Sequence, residues 1–111
     1  MKTSLVAGGS GFIGSWFCDA LYEMGATILC ADNFSSGSES NVAHLVGRER
    51  FKSFNCDITQ KELPREIENS PINYVCQFAA RASPKDYQEN PIATLDVSYL
   101  GTKHLLEMAS R

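Results

Sequence analysis

The run Gly8-Gly9-Ser10-Gly11-Phe12-Ile13-Gly14 restricts the fold of this chain more than any other stretch. Thr3 to Ala7, just before it, is a short apolar run that suits a buried parallel strand. After it, Phe12, Ile13, Trp16, Phe17, Ala20, Leu21 and Met24 recur at helical spacing and predict one broad apolar face. Glycines set between a strand and an amphipathic helix each have a physical task. Gly8 allows the tight turn, Gly11 lets backbone approach a pyrophosphate, and Gly14 lets the helix close on the sheet. The free amides at the start of the helix, where Phe12 and Ile13 stand, add the positive end of its dipole to that phosphate site. A plain glycine-rich turn without a ligand is the other reading of the same residues.

Beyond the turn, apolar runs alternate with helical patterns. Gly25 is placed to end the first helix. Thr27 to Ala31 predicts a second strand stopping at Asp32, and Phe51 to Cys56 a third. The polar stretch Asn33 to Asn41, with Gly37 inside it, predicts a loop, followed by a short helix over 42–46. Gln60 to Glu68 predicts a helix interrupted at Pro64, and Ile72 to Phe78 a fourth strand. Asn90-Pro91 is a cap and first-turn pair opening a helix that reaches Ala109. The expected architecture is α/β: a Rossmann-like parallel sheet with helices on both faces and strand order 3-2-1-4. All 111 residues fit one domain. The alternation stops after one long helix, so a partial domain is expected, ending before any catalytic or substrate-binding part.

Asp32 follows the glycine turn by about the twenty residues usual for a ribose-binding carboxylate. A carboxylate there accepts from the ribose hydroxyls and repels a 2′-phosphate, which favours NAD over NADP. An aspartate that only caps the loop is the alternative. Asp57 and Ile58 end the third strand, where a carboxylate reaches the adenine amino group and an isoleucine covers the ring. Ala79 and Ala80 end the fourth, leaving room for the middle of the cofactor.

Charge and cysteine content exclude other classes. The net charge of -3 offers no basic footprint for nucleic acid or an anionic membrane. Cys18, Cys30, Cys56 and Cys76 have neither zinc nor disulfide-scaffold spacing, so they predict core thiols, no metal site and a reducing cytoplasm. Neither a signal peptide nor a membrane span is visible.

Together these residues resemble the extended short-chain dehydrogenase/reductase family, the NAD-dependent epimerases and dehydratases of nucleotide sugars. The glycines match its Gly-x-x-Gly-x-x-Gly turn. Asp32-Asn33-Phe34 with Ser36-Gly37-Ser38 and Asn41 is similar to UDP-glucuronate decarboxylases. So is Ala82-Ser83-Pro84-x-x-Tyr87-x-x-Asn90-Pro91, followed by Thr94 and Gly101-Thr102. The resemblance spans nearly the whole chain but only about the first third of a family member. It implies that Asp32 and Asn33 bind the adenosine ribose, with Gly37 of the same loop also at the cofactor, Asp57 and Ile58 the adenine, and Ala79 and Ala80 the cofactor channel. Ser83, Pro84 and Tyr87 would lie near a UDP-sugar, unless that segment is only a loop and cap before the last helix.

Three departures bear on catalysis. Gln77-Phe78-Ala79-Ala80 stands where the family carries His-Leu-Ala-Ala. Ser98 replaces a family asparagine, and Arg81 a decarboxylase proline. Family chemistry moves a hydride from sugar C4 to NAD and back, using a tyrosine and a lysine one helical turn apart. Tyr99 and Lys103 have that spacing but stand in the wrong helix, so no catalytic residue is assigned. An NAD-binding part of a nucleotide-sugar enzyme, a stand-alone nucleotide-binding module and an interaction protein all remain open. The final helix has apolar residues on two sides, Ile92, Leu95, Tyr99 and Leu106 against Val97, Leu100, Leu105 and Met108, which predicts a homodimer or larger assembly.

Overall fold

A computed structural model describes residues 2–34, 38–60, 62–80 and 84–111. Four parallel strands form one sheet: β1 (Thr3–Ala7), β2 (Thr27–Asp32), β3 (Phe51–Asn55) and β4 (Tyr74–Gln77). Their order is β3-β2-β1-β4, the expected one. Register pairs Val6 with Cys30 across one neighbour and with Cys76 across the other.

Alternation along the central strands builds two cores. Leu5, Ala7, Leu29 and Ala31 point to one face and join Ile58, Leu63, Ile67 and Leu105. Val6, Ile28 and Cys30 point to the other, with Cys18, Val42, Leu45 and Phe51. Burial on both faces explains why these strands are continuous apolar runs rather than alternating ones.

Helix α1 (Phe12–Glu23) ends as expected, with Gly25 at φ 92° donating to the Tyr22 carbonyl at 3.0 Å. Which side of it is buried differs from the expectation. Phe12, Ile13, Trp16 and Met24 are exposed, whereas Gly14, Ser15 and Cys18 are the buried residues, flanked by Phe17 and Leu21. The glycine turn brings α1 so close to the sheet that only small side chains fit beneath its first turns. The apolar count along the helix therefore misplaces its inner face. After β2, a 3-10 turn (Glu39–Asn41) replaces the helix expected over 42–46, although Val42 and Leu45 are buried.

Helix α2 is short (Arg65–Asn69), starting just past Pro64. The segment expected as loop and cap contains a helix, α3 (Pro84–Glu89). Asn90 does not cap the next helix with its side chain; its amide donates to Asp86 of α3 instead. The last helical stretch is continuous but uneven: α4 (Pro91–Asp96), a π-helical turn (Val97–Gly101), then α5 (Thr102–Ala109). Such π-bulges cluster at functional sites. This one lets Val97, Leu105 and Met108 face the core while Ile92, Leu95, Tyr99 and Leu106 stay exposed. Among the described residues, no helix is long and apolar enough to cross a membrane.

Candidate functional site

Parallel strands end together, and a cleft opens where their order reverses, outside the carboxyl ends of β1 and β4. Gly8 and Gly11 form its floor, and Asp32 and Asn33 of β2 and its exit form one side. Cys56 through Thr59 follow β3, Phe78 through Ala80 follow β4, and Ala93, Asp96 and Val97 close it from the last helical stretch.

The turn is held by backbone. Gly8 has φ 79° and donates to the Ala31 carbonyl at 2.7 Å, and its own carbonyl accepts from Gly11 at 3.1 Å. A Cβ on Gly8 would stand 2.5 Å from the Ala79 nitrogen, so the turn also lies directly against the end of β4. Gly14 is tighter still: a Cβ there would meet the Gly8 carbonyl oxygen at 2.1 Å. Gly14 thus packs the helix onto the turn itself, more closely than onto the sheet. At Gly11, the cap of α1, a Cβ would meet only the Gly8 oxygen, at 3.3 Å. The Phe12, Ile13 and Gly14 amides form the first turn and have no acceptor within the helix. Their side chains do not line the cleft.

Asp32 does more than end β2. Its Oδ2 accepts from the Ser10 amide at 3.0 Å and its Oδ1 from the Phe34 amide at 2.7 Å. The carboxylate therefore braces the glycine turn from the neighbouring strand. It also holds Phe34 in the left-handed region, at φ 59°, a conformation that costs a non-glycine residue energy. A carboxylate has about four acceptor positions, more than these two bonds use. Asp57 Oδ1 accepts from both the amide (2.9 Å) and the hydroxyl (2.7 Å) of Thr59, which fixes the loop after β3.

Ile58 is only 4% exposed and packs in the core against Leu63 and Ile67. It lines the cleft with its side chain rooted in the core. The Cys56 thiol is pushed up to about 11 by burial and by the nearby Asp32 and Asp57 carboxylates, so it stays neutral at physiological pH. Beneath the turn, the Cys18 thiol donates to the Gly9 carbonyl at 3.9 Å, and its proximity to the Cys30 thiol raises the first and lowers the second.

Of the residues assigned to a cofactor from sequence, Gly8, Gly11, Asp32, Asn33, Asp57, Ile58, Ala79 and Ala80 meet in this cleft. Gly37, assigned to the cofactor, and Ser83, assigned to the substrate, lie outside the described residues. Pro84 and Tyr87 are exposed on α3 and do not line the cleft. Tyr99 and Lys103 line a shallow surface groove with Leu106, away from the cleft. Sequence reasoning missed Thr59, Asp96 and Val97. Thr59, two residues after Asp57, carried a signal as an Asx-turn partner. Asp96 and Val97 carried none, because the π-bulge that presents them has no sequence signature.

Comparison with known proteins agrees with this geometry. UDP-glucuronic acid decarboxylase 1 of Danio rerio is 37% identical over 110 residues, covering 99% of this chain and 25% of that protein. The Arabidopsis thaliana enzyme of the same name is 33% identical over 107 residues, covering 96% and 23%. Among solved structures, the Thermus thermophilus UDP-glucose 4-epimerase in complex with NAD superposes with a TM-score of 0.75 at 32% identity, over 96% of this chain and 33% of that one. An epimerase from Methanothermobacter thermautotrophicus reaches a TM-score of 0.86 at 31% identity, over 97% and 31%. The chain thus spans about a quarter of the curated relatives and a third of the solved ones. With residues 4–111 matching its model, the chain belongs to the NAD-dependent epimerase/dehydratase family.

Proposed function

We propose that the cleft binds NAD, as the cofactor half of a nucleotide-sugar epimerase, dehydratase or decarboxylase. The observation that carries this reading is the convergence of Asp32, Asp57 and the Gly8–Gly11 backbone on one cleft at the strand ends. The residues present fit the cofactor. Bare backbone at Gly11, which lines the cleft, and first-turn amides without an acceptor in the helix suit a pyrophosphate. Asp32 suits ribose hydroxyls and repels a 2′-phosphate. Bound NAD supplies a hydride acceptor for the C4 hydrogen of a sugar.

The named activities of the relatives favour a UDP-sugar as the substrate class, with Pro84 and Tyr87, exposed on α3 outside the cleft, near the sugar nucleotide. Among the described residues, none of the side chains lining the cleft is a tyrosine or a lysine. The chain by itself therefore holds cofactor without turning it over, which also suits a nucleotide-binding module. Four unpaired thiols suit a reducing cytoplasm.

Saturating NAD should raise the melting temperature, since a ligand at a hundred times its Kd stabilises the native state by about 2.7 kcal/mol. Adding UDP-glucuronic acid to that complex should produce no NADH fluorescence. An unchanged melting temperature contradicts cofactor binding; NADH formation contradicts the non-catalytic reading.

We also propose self-association. Ile92, Leu95, Tyr99 and Leu106 form an exposed apolar stripe, and β4 pairs on one side only among the described residues. Light scattering should give at least twice the chain mass at moderate concentration; a monomer mass contradicts it.

A further inference from the structure

We propose that Gln77 is a positioning residue for the half of the dinucleotide beyond its pyrophosphate, an inference that rests on the NAD reading above. Gln77 is the last residue of β4, and its side chain reaches forward along the chain. Its Oε1 accepts from the Ala79 amide at 2.7 Å, and its Nε2 donates to the Thr102 hydroxyl in a long 3.4 Å contact. Ala79 lines the cleft, whereas Thr102 stands outside it, in the surface groove beside Tyr99 and Lys103. The Ala79 nitrogen abuts Gly8, where a Cβ would meet it at 2.5 Å, so the height of Ala79 sets the gap between the turn and the end of β4. Thr102 follows the π-bulge, whose first residue, Val97, lines the cleft.

One amide side chain therefore ties the strand end, the turn and the bulge into a fixed spacing. Backbone pairing cannot do this alone. The last ladder contact of this strand end runs from the Phe78 amide to the Ala7 carbonyl at 2.8 Å, one residue short of Ala79. Without the Gln77 oxygen, the Ala79 amide has no other acceptor among the described hydrogen bonds. The Ala79-Ala80 segment would then lose its registration against Gly8. Adenosine recognition lies elsewhere, at Asp32 and Asp57 after β2 and β3. Disturbing Gln77 should therefore affect the two ends of a dinucleotide unequally.

The test compares NAD with AMP on the full chain, using Gln77→Met, which keeps side-chain length and removes both hydrogen bonds. NAD affinity should fall about tenfold, the loss expected for one well-formed hydrogen bond, while AMP affinity stays within about twofold. Gln77→His, which again pairs an acceptor with a donor, should recover most of the NAD affinity and keeps the test open if Gln77→Met does not fold. Equal affinities in wild type and variants overturn the proposal. A parallel loss of NAD and AMP affinity overturns it as well, since that marks a general structural role. Wild-type chain that binds AMP but gains nothing from NAD sinks this inference alone, whereas failure to bind either sinks the cofactor reading.

Discussion

Gly14→Ala should unfold or severely loosen this domain and abolish NAD binding. The added Cβ would lie 2.1 Å from the Gly8 carbonyl oxygen, 2.9 Å from the Gly8 carbonyl carbon and 3.0 Å from the Gly9 Cα. All three are backbone atoms, so no rotamer change relieves the contact. The turn must open, and with it the bonds from Gly8 to Ala31 and from Gly11 to Gly8. Overpacking of this kind costs roughly 1–3 kcal/mol, and broken turn bonds add about 1 kcal/mol each. The melting temperature should drop by something on the order of 10–20 °C. Gly11→Ala provides the contrast. Its Cβ would meet one atom at 3.3 Å, so stability should change by less than about 1 kcal/mol. NAD affinity should still fall, because the methyl enters the space a phosphate needs. Melting curves and titrations of the two variants separate the turn as scaffold from the turn as site.

Asp32→Ala has the second largest expected effect, and it acts twice. The carboxylate is the acceptor for the Ser10 and Phe34 amides, and Ser10 is fully buried. Leaving a buried amide unpaired costs about 1–3 kcal/mol, so stability should drop by that amount in denaturant melts. Phe34, held at φ 59° by the same side chain, should relax toward extended backbone and let the loop after β2 drift. NAD affinity should fall on the order of 10–100-fold, from lost ribose contacts and a loosened turn together. NADP should lose less, since removing the charge also removes its repulsion, so the preference for NAD narrows. Asp32→Asn should lie between. Its single carbonyl oxygen can serve Ser10 or Phe34, and its NH2 cannot accept from either.

This double duty shows how far the sequence could be read. Strand order, the glycine turn and the strand-end residues Asp32, Asp57, Ala79 and Ala80 follow from local pattern, because a buried parallel strand and its exit have a clear signature. The Ser10–Asp32 bond crosses 22 residues of chain, and only the folded sheet brings its partners together. The inner face of α1 was misread for a related reason. Apolar periodicity marks the face with the most hydrocarbon, whereas close approach at the turn selects the one with the smallest side chains, Gly14, Ser15 and Cys18. Helix α3 was hidden by Pro84, which looks like a loop residue yet suits the first turn of a helix. Ile58 was assigned to a ring-covering role by its position after β3; it lines the cleft with its side chain rooted in the core against Leu63 and Ile67.

Calorimetric titration of the wild-type chain with NAD, NADP and ADP-ribose tests the central claim most directly. Saturable binding of NAD at one site per chain is predicted, with ADP-ribose close behind it and NADP at least about tenfold weaker, as charge repulsion at Asp32 requires. Equal affinity for NAD and NADP, or no heat with any of the three, would contradict the assignment of this cleft.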